Sequence, residues 1–315
     1  MYFKLSESTA YPTSNSILVL GAGELGMAVL ESVSRRIAHG KTKLAVLLRP
    51  TTDDSTNSLK RLQYDRVRAL GAQIVECDLA SASETDIAKQ LQHFSNVIGC
   101  TGFVGGSGMQ LKITRAALAA SVDRYVPWQF GVDYDAIGRG SAQDVFDEQL
   151  DVRDLLRGQQ QTKWLIISTG MFTSFLFDPS FGIVDLQSNE VHALGAPENQ
   201  VTVTTAEDIG ALTATILFAE PQLANQVVYT AGETLSYSRL ADIVDEVLNR
   251  NVCRVTWSVA RLKDELAADA DSAIKKYRVV FAGDRGVSWP VAKTYNAQHS
   301  IAVTDVREWV RRNLT

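Results

Sequence analysis

Residues 17–26 read Ile17-Leu18-Val19-Leu20-Gly21-Ala22-Gly23-Glu24-Leu25-Gly26, and the rest of the chain is organised around them. Four consecutive apolar residues suit a strand buried on both faces. Gly21, Gly23 and Gly26 follow at GxGxxG spacing, and Glu24 to Arg36 has helical composition without proline. Strand, glycine turn and helix start in that order predict a dinucleotide-binding turn. Backbone N–H groups there approach a pyrophosphate, and the helix N-terminus adds partial positive charge. The spacing alone also fits a ligand-free turn, so the flanking strand and helix carry the reading. Gly21, Gly23, Glu24, Leu25 and Gly26 are the expected phosphate-side residues.

Working outward, strand and helix patterns alternate. Apolar runs at 43–48, 73–78, 96–100, 124–127 and 164–168 are separated by helical stretches at 58–70, 82–93, 109–121 and 142–157. Six strands in that rhythm predict an α/β protein with a doubly wound parallel sheet. From Gly170 the rhythm breaks, and Phe172, Phe175, Phe177 and Phe181 crowd a loop with Pro179. The expected organisation is a Rossmann domain over 15–170 plus about 200–225. A smaller C-terminal substrate lobe is expected from about 171–198 plus 226–315. Residues 1–14 read as a short lead-in.

Composition narrows the class. The 315 residues are 45% hydrophobic with a formal charge of −5, which speaks against a nucleic-acid surface or a polybasic membrane patch. Cys77, Cys100 and Cys253 have no paired spacing, and Cys77 and Cys100 read as small core residues. Four scattered histidines give no metal-ligand spacing, so no metal is expected. Without an apolar leader or a bilayer-length run, the expectation is a soluble cytoplasmic protein.

The end of the second strand discriminates between cofactors. An NAD site usually places Asp or Glu there, on the ribose 2′-OH. Here that position is Arg49, with no carboxylate before Asp53. A guanidinium grips a 2′-phosphate that a carboxylate would repel, so NADP(H) is expected. Lys60 would add a second positive charge. Asp78, past strand three, would accept from the adenine amino group. Thr101, Gly102 and Phe103 leave strand four on the carboxyl edge, where ligands bind such sheets.

Several stretches together resemble the NmrA-like and isoflavone-reductase-like proteins, atypical members of the short-chain dehydrogenase superfamily. These are Arg49-Pro50, the strand-four exit from Val97 to Gly102, and Arg124-Tyr125-Val126-Pro127-Trp128-Gln129-Phe130-Gly131. Asp144 to Gln149 and Ser168-Thr169-Gly170-Met171-Phe172 continue the match. The likeness runs from about Ser16 to Leu217. It implies NADPH on the Rossmann domain and a small lobe closing over an aromatic substrate. It also implies a regulatory branch that binds nucleotide and a transcription factor without turnover.

One departure matters. In the reductase branch, a phenylalanine of the helix after strand five is followed three residues later by a catalytic lysine. The match to Phe146 here puts Gln149 in that place, and the chain has no YxxxK pair. At 100° per residue, Val145, Gln149, Val152 and Leu156 share one stripe. Asp147, Glu148, Asp151 and Asp154 point the other way, as an expected solvated face. Gln149 is therefore an inward amide that either satisfies core groups or meets a ligand. Glutamine cannot donate a proton as lysine can. Tyr134, Asp133 or a water would then do that work, or the substrate would be a preformed cation, or hydride transfer has been abandoned.

Trp128, Gln129 and Phe130 follow strand five, next to the expected nicotinamide, and Gln129 and Phe130 are expected to touch the cofactor. Trp128, Met171, Phe172 and Phe175 are the expected substrate contacts. Asp208 reads as a structural helix cap. The leading expectation is an NADPH-dependent reductase of an aromatic or alkaloid-like small molecule, acting on C=N or C=C in secondary metabolism. The alternatives are a non-redox enzyme that keeps NADP(H), and a nucleotide-sensing regulator with a protein partner. A homodimer is compatible with each.

Overall fold

The computed structural model describes residues 15–37, 41–50, 58–102 and 106–315. The lead-in over 1–14, the polar loop at 51–57, His39, Asp53 and Phe103 lie outside them. The chain divides into two compact units. One holds the described residues up to Trp128 together with Leu155–Leu165; the other holds Gln129–Asp154 and Ile166–Thr315.

In the first unit, β1 (Ser16–Leu20), α1 (Glu24–Arg36), β2 (Lys43–Leu48), α2 (Ser58–Ala69) and β3 (Gln73–Glu76) alternate as expected. They are followed by α3 (Glu84–Leu91), β4 (Asn96–Gly99), α4 (Met109–Ala119) and β5 (Arg124–Val126). β1 pairs in parallel with both β2 and β4, β2 with β3, and β4 with β5. The apolar run Ile17–Leu20 is central because parallel strands are covered on both faces, and each of these residues is buried. At the opposite extreme β3 is half exposed, as suits an edge. Cys77, just past it, is therefore only partly buried rather than a core residue, whereas Cys100 is buried.

The chain goes on through α5 (Tyr134–Ile137), α6 (Val145–Arg157), β6 (Lys163–Ser168), β7 (Met171–Phe172), β8 (Val184–Asp185), β9 (Glu190–Leu194) and β10 (Gln200–Thr204). After α7 (Ala206–Leu217) come β11 (Gln226–Tyr229), β12 (Glu233–Ser236), α8 (Tyr237–Leu248) and β13 (Cys253–Trp257). The large sheet has seven strands in the order β11-β6-β5-β4-β1-β2-β3, with β5 parallel to β6. The order reverses between β1 and β4, the switch point of a doubly wound Rossmann-like fold.

The second unit adds two three-stranded sheets, β12-β10-β7 and β13-β9-β8. Its core joins Leu176, Phe181 and Val184 to Leu240 and Val244 of α8 and to Trp257. The helix starts are set by short polar side chains: Ser236 accepts from the Arg239 N–H at the head of α8. At α7 the cap is Thr205, which accepts from the Asp208 N–H. Asp208 sits at the third helical position and accepts from the Thr205 hydroxyl and the Thr304 N–H. Its role is structural, one turn in from the expected capping position. Among the described residues, no helix is long and apolar enough to cross a membrane.

Candidate active site

The β1–α1 turn is built by its glycines. Gly21 has φ +93°, a backbone region that favours glycine. An ideal Cβ on Gly26 would lie 2.2 Å from the Gly21 carbonyl oxygen, so only glycine lets α1 start this close to the strand. The turn is anchored by the Gly21 N–H on the Leu47 carbonyl at 3.0 Å and by the Gln63 amide on the Ala22 carbonyl. Gly23 caps α1 without a side chain, and a Cβ there would meet nothing within 4 Å. The first N–H groups of a helix have no partner inside it. An uncapped helix start under open space therefore fits a diphosphate. Glu24 is exposed in that first turn, and Leu25 is buried beneath it.

β1 and β4 end side by side, with Leu20 opposite Gly99 and the Cys100 N–H on the Leu20 carbonyl. Thr101 and Gly102 follow, both held by the Gln110 amide. The Trp128 indole lies over Gly102, 3.8 Å from where a Cβ would stand. The Trp128 N–H backs so closely onto Gly99 that a Cβ there would be at 2.8 Å. Arg49 leaves β2 with its side chain 62% exposed, its Nε 3.5 Å from an Asp78 carboxylate oxygen. Asp78 also accepts from the Ala80 N–H. An exposed pair of that length is worth about 0–1 kcal/mol, little enough for an incoming phosphate to displace. Lys60 is exposed on the first turn of α2. This end of the first unit thus gathers Gly21, Gly23, Gly26, Thr101, Gly102 and Trp128 at the strand ends, with Arg49 and Asp78 at the tips of β2 and β3.

In the second unit, Gln129, Gln149 and Arg153 are all 0% exposed. The Gln129 amide donates to the Gln149 main-chain carbonyl at 2.9 Å, and its oxygen accepts from Arg153 Nε at 2.8 Å. Arg153 Nη1 donates to Asp135 at 2.6 Å and lies 3.8 Å from Asp133. Asp133 in turn accepts from the Tyr229 hydroxyl at 2.8 Å and caps α5 through the Ala136 N–H. The guanidinium sits over the Tyr134 ring at 5.3 Å, and Tyr134 meets Phe146 edge-on at 5.0 Å. The Gln149 side chain stands apart. Its Nε2 and Oε1 are both buried without a hydrogen-bond partner, and so is Arg153 Nη2.

Burial pushes the Tyr134 phenol up, with Tyr277 adding and Arg153 opposing. Burial, then the hydrogen bond to Asp133, pushes Tyr229 up as well. Both hydroxyls keep their protons at neutral pH and are weakened as acids. Phe130 is buried, Met171 belongs to the core, Phe172 is half-buried and Phe175 is exposed beside Phe181.

The expected solvated face of α6 needs a correction. Asp151 and Asp154 pair with Arg139, and Asp147 accepts from the Gly140 N–H, but Glu148 is only 6% exposed. The helix buries more of its circumference than one stripe, because Gln149 and Arg153 turn a second side inward. Sequence reasoning missed Arg153, Asp135 and Tyr229. The available signal was the spacing of Arg153, four residues after Gln149 and so on the same helix face.

Comparison with known proteins places this arrangement. An NmrA-like family oxidoreductase of Gibberella moniliformis (strain M3125 / FGSC 7600) is 42% identical over 299 residues, covering 95% of this chain and 98% of the relative. A solved isoflavone reductase matches with a TM-score of 0.77 at 18% identity, over 95% of this chain and 99% of that one. Leucoanthocyanidin reductase from Vitis vinifera, in its binary complex with NADPH, matches with a TM-score of 0.76 at 18% identity, over 94% and 98%. These two solved structures share the fold. The model of the NmrA-like family matches residues 13–310, and with the 42% identity this shows that the chain belongs to the NmrA-like family.

Proposed function

We propose that this protein is an NADP(H)-dependent reductase of an aromatic or alkaloid-like small molecule, acting on a C=N or C=C bond. The observation that carries the reading is the β1–α1 turn, with open space over Gly23 and no side chain on the helix start. Gly21, Gly23, Gly26, Glu24 and Leu25 would hold the diphosphate, Arg49 and Lys60 the 2′-phosphate, and Asp78 the adenine. Thr101, Gly102, Phe103, Gln129 and Phe130 complete the proposed cofactor set. When bound, the dihydronicotinamide supplies a hydride. Trp128, Met171, Phe172 and Phe175 are assigned to the substrate, and Gln149 to orienting it. The Gibberella relative, named an oxidoreductase, supports the reaction class.

The test is NADPH consumption with candidate imines and enones. Gly23→Trp fills the open space, so it should abolish binding and turnover while leaving the melting temperature close to that of the parent chain. Product formation without loss of NADPH absorbance would overturn the reading. One observation favours a second reading, a non-redox enzyme that retains the nucleotide. Gln149 offers no proton where the reductase branch carries lysine, and Tyr134 and Tyr229 are weakened as donors. Losing a general acid is typically worth about 10²–10⁴-fold in rate. Turnover that persists with NADP⁺ in place of NADPH separates the two readings.

A further inference from the structure

Gln149 has two polar atoms sealed from solvent with nothing to bond, although its own position is firmly set. Its main-chain carbonyl accepts from Gln129, whose amide is oriented by the buried Arg153, itself tied to Asp135. A helix turn pinned in this way presents its side chain with little freedom, as a recognition group requires. A buried amide left without partners is costly, and replacing it by an apolar residue of the same shape would remove that cost. The amide has one acceptor and one donor face lying in the same plane. A lone ketone, ether or lactone carbonyl satisfies only Nε2 and leaves Oε1 unpaired. A group that carries an N–H beside a C=O on one edge satisfies both at once.

We propose that Gln149 recognises a cyclic amide, so that the substrate is a lactam or a fused aromatic ring containing one. This deepens the reductase reading and rests on its assignment of Gln149 to the substrate. It does not depend on hydride transfer. Arg153 and Gln129 are positioning residues in this arrangement.

The test is calorimetry on the full chain with three ring isosteres: 2-quinolinone, which carries N–H beside C=O; coumarin, with oxygen in place of N–H; and N-methyl-2-quinolinone, with the donor blocked. Each is titrated with and without saturating NADP⁺. The 2-quinolinone should bind about ten-fold more tightly than either isostere, the scale of one buried acceptor left unpaired. In Gln149→Met the preference should vanish, while the ligand-free variant melts no lower than the parent chain. Equal affinities for the three compounds in the parent chain, or no binding of any of them, would overturn the proposal without needing a variant. A preference that survives in Gln149→Met would overturn it too. Uptake of NADP⁺, measured in the same titrations, bears on the reductase reading separately.

Discussion

The β1–α1 turn and the inward side of α6 solve opposite problems. The turn leaves backbone N–H groups uncapped in the open, where water satisfies them until a ligand arrives. The α6 side buries a guanidinium, two carboxamides and a tyrosine–carboxylate pair. It compensates them with one another, all but the Gln149 side chain and one Arg153 nitrogen. The lesson is that a site for phosphates can be kept ready at little cost in stability, because its charges are exposed. A site for a specific small molecule in a sealed environment stores its specificity as unsatisfied groups.

The contrast can be broken most forcefully at Arg153. Arg153→Met removes a buried cation and leaves the Gln129 oxygen unpaired, so stability should fall by about 3–5 kcal/mol. Urea unfolding measures it, and a loss below about 1 kcal/mol would mean that the α6 network contributes little. Next comes Gly26→Ala. A Cβ placed 2.2 Å from a main-chain oxygen forces the turn apart, at about 3 kcal/mol of overpacking. Differential scanning calorimetry should show a lowered transition, and calorimetric titration should show lost NADP⁺ uptake. Retention of both would mean that the turn is more pliant than its geometry implies. The smallest expected effect is at Arg49. Arg49→Ser should leave the fold unchanged and weaken NADPH by about ten- to hundred-fold relative to NADH, the worth of one charge-assisted contact. An unchanged NADPH-to-NADH ratio would move the 2′-phosphate elsewhere.

Some of this was readable from residue order. GxGxxG behind an apolar run marks a turn because only glycine accepts the backbone angles at Gly21 and the close approach at Gly26. The helical period put Gln149 on the inward face of α6, and the structure seals it there. The same period sent Glu148 to solvent, which failed because a 13-residue helix in a dense core can be covered on more than one side. Tyr229 lies 96 positions from Asp133, and no local pattern announces a hydrogen bond across that distance.

The amino-acid order by itself determined the parallel α/β sheet, the glycine turn and the basic tip of the second strand, because each depends on local backbone sterics or on a short apolar period. Only the tertiary structure decided which ordinary polar residues lose water together. Gln129, Asp133, Asp135, Gln149, Arg153 and Tyr229 are unremarkable one at a time, and their chemistry arises from shared burial, a property of packing rather than of sequence spacing.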